Sequence, residues 1–391
     1  MSRYAKKSKA VPVVLIITLL ITVLAVAAHL IPKLYTEPIR DNIEEDKKQA
    51  QTDKEQLISD IQQANRDAEK AWEDEKERLL NPPEEEPVTP SWPAPKTEGW
   101  DVVDLTDYPL ENVSVEQKTR AELMNNGMLL INEWHSRPED FDESGLKSVG
   151  KYLGGNEKVQ VNNYNITLFP VAADALLEAV NAAKAEGHEH YIVTEGYRSW
   201  DTQNEMFQKK KEKLASKYSN EEDLIAAAKK EVNYPGTSEF NSGLAFTLRL
   251  YEKGNDEVNS TKFSTSPQGI WMSENCWKYG LIVRFPLAEW PLPTSQDKSQ
   301  KTGVSIQLNL YRYVGKGNAA FMHVLDMCLE EYIEYLHAHP HLALYENGEL
   351  RYEVYCQYVG DTDPILVQVV RSKSHISSLD NMGYVVTVFE H

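Results

Sequence analysis

The spacing of apolar positions changes character several times along the chain. From Ala10 to Ile31 nearly every residue is apolar, interrupted only by Pro12, Thr18, Thr22 and His29. About 20 residues at ~1.5 Å each match a ~30 Å hydrocarbon core, so residues 10–32 predict a transmembrane helix. From Asp41 to Leu80 the pattern turns strongly charged, with no Pro or Gly. Ile43, Ala50, Leu57, Ala64 and Ala71 recur at heptad spacing, and Ile61 and Ala68 add a second seam position. Lys47 and Lys54 hold that second position earlier on. Residues 36–80 therefore predict a helical stalk. It is either a solvated single helix laced with pairs such as Glu44–Lys48 and Asp74–Arg78, or a weak coiled coil. Residues 81–100 carry Pro82, Pro83, Pro87, Pro90, Pro93 and Pro95 around the acidic run Glu84-Glu85-Glu86. Proline cannot hold a helix interior, and this stretch predicts an extended linker.

Past Asp101 the periodicities mix. Helical spacing appears over Gln117–Glu133, Phe169–Ala185, Asp201–Lys217, Glu221–Val232 and Ala319–His337. In the second of these Ala172, Leu176, Leu177, Val180 and Ala183 share one face. Short apolar runs at His190–Thr194, Leu244–Leu250, Gly280–Arg284 and Arg351–Val359 predict strands. Strands and helices mix without regular βαβ alternation, so the expected class is α+β with an antiparallel sheet and flanking helices over residues 101–341. Residues 342–391 add strand-like runs at Leu350–Val359, Pro364–Val370 and Gly383–Phe389. A segment of about 50 residues is marginal alone. It is expected to form a small β appendage, a three-stranded sheet packed on the core.

Charge sharpens this picture. Arg3, Lys6, Lys7 and Lys9 precede the apolar segment and only Lys33 follows closely. The positive-inside rule then puts residues 1–9 in the cytoplasm and the remainder outside, on a single-pass cell-membrane protein. A cleaved signal peptide ending near Ala25-Val26-Ala27 is the rival, but the apolar stretch exceeds the usual h-region. The net charge of −19 excludes the basic footprint that nucleic acid needs. Cys276, Cys328 and Cys356 are too scattered for a disulfide framework or a Cys-x-x-Cys zinc site.

Motifs appear after the predicted strand at 190–194. Tyr197-Arg198-Ser199 precedes Gln203, and Tyr234-Pro235-Gly236-Thr237-Ser238 runs into Glu239-Phe240-Asn241-Ser242-Gly243-Leu244-Ala245. Tyr279-Gly280-Leu281-Ile282-Val283-Arg284-Phe285-Pro286 and Tyr311-Arg312-Tyr313-Val314-Gly315 follow. In this order and spacing the blocks resemble the VanY-type zinc D-alanyl-D-alanine carboxypeptidases, over about Gly127 to Tyr335. The resemblance implies a zinc site built from Ser-x-His-x-x-Gly-x-Ala-x-Asp and Glu-x-x-His. There, three ligands leave one position open for an acidified water, and a carboxylate takes its proton. In this chain the first His position holds Phe240, the Asp position Thr247, the second His position Leu310 and the base position Gln307. The resemblance therefore implies a degenerate member, with no zinc and no catalysis. Aromatic residues such as Phe240 and Tyr311 are expected to fill the former metal cavity.

What the resemblance leaves is a substrate-binding set. Arg198, Ser199, Gln203 and Ser238 match positions that receive the terminal D-Ala, and an Arg can fork onto a carboxylate. The alternative for Arg198 and Arg312 is an internal ion pair. The resemblance implies a peptidoglycan stem peptide or a bacterial cell-wall protein as partner. Two other functions stay open. One is an active peptidase that takes metal through His188 and His190, or through His337, His339 and His341, although helix ends and turns also explain those clusters. The other is a scaffold dimerised through the stalk.

Overall fold

The computed structural model describes residues 97–155 and 158–391, with scattered positions between 48 and 70 that are helical and exposed. The expected membrane segment at 10–32 and nearly all of the linker lie outside the described residues. Among the described residues no helix is long and apolar enough to cross a membrane. The chain divides into two compact units, Met1–Thr89 and Pro90–His391, and the second carries the blocks above.

Its strands are β1 Trp100–Asp104, β2 Val113–Lys118, β3 Lys147–Ser148, β4 Gln160–Val161, β5 Thr167–Leu168, β6 Tyr191–Glu195 and β7 Ala245–Leu250. After them come β8 Leu281–Val283, β9 Leu310–Tyr313, β10 His341–Glu346, β11 Glu349–Tyr358, β12 Ile365–Val370, β13 Ser374–Leu379 and β14 Tyr384–Glu390. One five-stranded sheet has the order β4-β6-β7-β9-β8. Its β4–β6 edge is parallel and the other pairs are antiparallel. Helix α1, Pro170–Ala185, opens with proline in its first turn and buries Ala172, Leu176, Ala179, Val180 and Ala183. It packs near β8 and β9, as its apolar stripe requires.

The C-terminal strands depart from expectation. They form a second five-stranded sheet, β1-β10-β11-β14-β13, completed by the N-terminal strand β1. β12 leaves that sheet and pairs with β2. The predicted helix over Ala319–His337 is two helices, α2 Lys316–Leu325 and α3 Leu329–Ala338, broken where Asp326 turns left-handed at φ 53°. Phe321, Leu329, Tyr332 and Leu336 from these helices share one core with Leu342, Val354 and Val386 of the second sheet.

Gln117–Glu133 is not one helix either. Its first residues finish β2, and only Arg120–Met124 is helical, capped by the reciprocal Thr119–Glu122 box. Beyond it the carbonyls of Gly127 and Leu129 accept Arg312 Nη2 at 2.7 and 2.8 Å. Those acceptors serve a buried guanidinium instead of a helical ladder.

Candidate functional site

Three segments build the site. The first leaves β6 at Glu195, passes Gly196-Tyr197-Arg198, and enters the helix Trp200–Leu214 through Ser199, whose Oγ accepts Thr202 N–H at 3.1 Å. The second is the tight turn Ser238–Ser242, ended by Gly243 at φ 69°. A side chain there would also meet the Phe169 ring at 2.7 Å. The third is β9. Arg198 N–H donates to Phe240 O at 3.0 Å, and Asn241 Nδ2 donates to Arg198 O at 2.6 Å, which ties the first two segments together. Across the sheet Thr247 pairs directly with Leu310 and with Glu195, which puts all three on one face.

The positions matching the zinc ligands are thus brought together, and their chemistry is apolar. Leu310, Ala245 and Phe285 form a small buried cluster against which Phe240 packs. Thr247 Oγ1 is engaged with Thr194 Oγ1 at 2.7 Å. Gln307 is exposed and accepts Lys262 Nζ at 3.3 Å. Phe240 and Leu310 present only carbon and Thr247 a neutral hydroxyl, so this donor set does not fit zinc. Tyr311 does not join Phe240 as expected. It alternates to the opposite face of β9, where its ring meets Phe246 and Phe263 and its hydroxyl lies 3.1 Å from Ser273 Oγ.

The predicted binding residues take different stations. The Arg198 guanidinium lies 4.7 Å above the Phe240 ring. Its Nη1 donates to Gln203 Oε1 at 2.7 Å, and Nη2 donates to the Glu195 carboxylate at 3.3 Å. Burial draws the guanidinium below its ordinary range, and the Glu195 charge offsets part of that. Gln203 is fully buried and also donates to Asn233 O at 2.7 Å. Ser199 serves as a helix cap. Ser238 is buried at the cleft wall and caps its own turn.

Behind Ser238 and Phe240 lies a buried charge network that sequence reasoning found only in part, through Arg312. Arg284 Nε donates to Glu239 Oε2 at 2.6 Å, and its Nη1 and Nη2 fork onto Glu330 at 2.9 and 2.6 Å. Arg312 Nη1 donates to the other Glu239 oxygen. Burial pushes the Glu330 carboxyl up, but the Arg284 guanidinium outweighs it and holds the group below the ordinary carboxylate range. The signal for this network was present, since an Arg inside the apolar run of β8 and its flank needs a buried partner.

In front of the network opens a cleft of 340 Å³, floored by Phe240, Phe285, Leu308 and Leu310. The histidine clusters stand elsewhere. His337 contacts Asp380 at 2.7 Å, His339 contacts Asp104 at 2.6 Å and His341 contacts Glu353 at 2.8 Å, each a different carboxylate. His190 is 3.8 Å from Glu252, and His188 sits beside the Trp271 ring.

Comparison with known proteins agrees with the blocks. Residues 165–316 match the family model "VanY: D-alanyl-D-alanine carboxypeptidase". The Bacillus subtilis protein YodJ, named as a carboxypeptidase, is 33% identical over 54% of this chain and 67% of its own length. The chain belongs to the VanY family. A D-alanyl-D-alanine carboxypeptidase of Enterococcus faecium is 29% identical over 71% of this chain and 80% of its own. Among solved structures, the vancomycin-resistance D,D-dipeptidase VanXYg, in complex with a D-Ala-D-Ala phosphinate analogue, superposes with a TM-score of 0.52. At 22% identity over 71% of this chain and 99% of that one, it shares the VanY-like fold.

Proposed function

We propose that this protein is a non-catalytic VanY-family member, tethered outside the cell membrane by residues 10–32, whose cleft binds a peptidoglycan stem peptide or a segment of a cell-wall protein without hydrolysing it. One observation carries the reading. The positions expected to hold the metal carry Phe240 and Leu310, packed in one apolar cluster, and Thr247, the cross-strand partner of Leu310, while the base position carries the amide of Gln307. An amide accepts no proton at neutral pH, and carbon side chains bind no metal. The buried network around Glu239 supports the shape of the cleft independently of any metal, which favours a retained binding role.

Elemental analysis of the purified protein after dialysis against a weak chelator tests this. Under about a tenth of an equivalent of zinc, with no D-alanine released from a stem pentapeptide, is expected. Near one equivalent, or steady D-alanine release, would overturn it.

A further inference from the structure

The cleft itself states what kind of peptide it takes. Its floor is carbon, and its rim continues that character outward. Ile306 is 62% exposed and Tyr234 44% exposed on the lining, and Trp134, 57% exposed, stands against the cleft residue Gly303. Large apolar side chains left in water around a concave site mark a surface that is covered by a partner.

The lip is cationic. Lys229 and Lys230 line it, with the Lys229 ammonium 4.9 Å from the Tyr234 ring centre. Among the described residues neither makes an ion pair. The lining acid Glu231 is taken by Lys210, and Glu239 by Arg284 and Arg312. Glu133 is the remaining lining carboxylate. With those two acids paired, Lys229 and Lys230 outnumber Glu133 by one beside the apolar floor, in a chain of net charge −19. The Arg198 fork is committed to Gln203 and Glu195, so the lysine pair supplies the cations open to a ligand.

We infer that the cleft binds an acidic peptide segment of a protein partner, with one bulky apolar side chain inserted between Phe240, Phe285 and Leu310 and its carboxylates on Lys229 and Lys230. The inference rests on the non-catalytic reading above and specifies the ligand of that same site. A cavity of 340 Å³ lies at the small end of ligand pockets and suits one such side chain.

The test is fluorescence anisotropy on the full chain in detergent, with four labelled pentapeptides. One has a central phenylalanine between pairs of acidic residues, the second has alanine at the centre, the third has lysines for the acids, and the fourth is a stem pentapeptide ending in D-Ala-D-Ala. The phenylalanine peptide should bind about tenfold or more tighter than the alanine peptide, the ratio set by burying one large apolar side chain. Lys229→Glu with Lys230→Glu should reverse the preference toward the lysine peptide. The exposed Ile306→Ser should weaken the phenylalanine peptide several-fold without unfolding the chain. Equal binding of the first three peptides, or tighter binding of the stem peptide without D-alanine release, overturns this inference and leaves the non-catalytic reading standing. D-alanine release from the stem peptide overturns that reading itself.

Discussion

Replacing Glu239 with glutamine keeps the shape of the side chain and removes its charge. In the native chain one carboxylate oxygen receives Arg284 Nε at 2.6 Å and the other receives Arg312 Nη1. A glutamine amide has one acceptor oxygen, so one guanidinium must then face an NH2 donor. Both arginines are fully buried, and water cannot take the lost partner's place. Removing one member of a buried ion pair costs about 3–5 kcal/mol, a large share of the ~5–15 kcal/mol that holds a domain folded. At about 2–4 °C per kcal/mol the thermal midpoint should fall by roughly 6–20 °C. Circular dichroism melts of wild type and Glu239→Gln measure this. Glu195→Gln is the control, because its partner Arg198 faces a half-exposed carboxylate and such pairs contribute under about 1 kcal/mol. A Glu239→Gln midpoint no lower than that of Glu195→Gln would refute the argument that the network holds the cleft wall in place.

Three further outcomes are expected. Burial pushes the Glu353 carboxyl up, but hydrogen bonds from His341 and Lys373 outweigh this and hold it at about 2, against an ordinary 4.5. A depressed carboxylate stabilises the fold above the unfolded value and loses that contribution as pH falls toward 2. The gap corresponds to about 3 kcal/mol, so urea midpoints of wild type should drop across pH 4.5 to 2 more steeply than those of Glu353→Gln. Gly243→Ala should destabilise by more than about 1 kcal/mol in the same assay, because φ is 69° and the Phe169 ring occupies the space of the new methyl; an unchanged midpoint contradicts that. The quadruple change Phe240→His, Thr247→Asp, Gln307→Glu and Leu310→His should gain close to one equivalent of zinc by elemental analysis, since Thr247 and Leu310 are direct cross-strand partners and Phe240 packs on the same cluster. No zinc uptake would mean that these backbone positions no longer converge.

What could be read from sequence follows the range of the physics involved. Pro170–Ala185 announces itself because one buried face at helical spacing and an N-terminal proline are local features. The register of Ser238–Gly243 was legible because the motif residues that flank it occur together, whereas the tight turn ended by left-handed Gly243 is visible only in the structure. Ala319–His337 misled because the helical pattern continues through Asp326, and only the packing of two helices on the second sheet requires the break. The helix expected at Gln117–Glu133 failed for a longer-range reason, the demand of Arg312 on carbonyls nearly two hundred positions away. The pairing of β1 with β10 joins chain segments about 240 residues apart, and no periodicity carries that information. At the site, replacement of the ligand positions was plain from register, while the commitment of Arg198 to Glu195 and Gln203 depended on rotamers and burial.

The place of β1 has a mechanical consequence. Among the described residues it is an edge strand, laddered on one side only, to β10, and the first strand reached from the N-terminal side. Tension applied at residue 97 arrives at that five-residue ladder before it reaches β6, β7 or β9. The ladder stands first in series with such a pull, so it should peel as a fuse while the sheet that carries the cleft keeps its form.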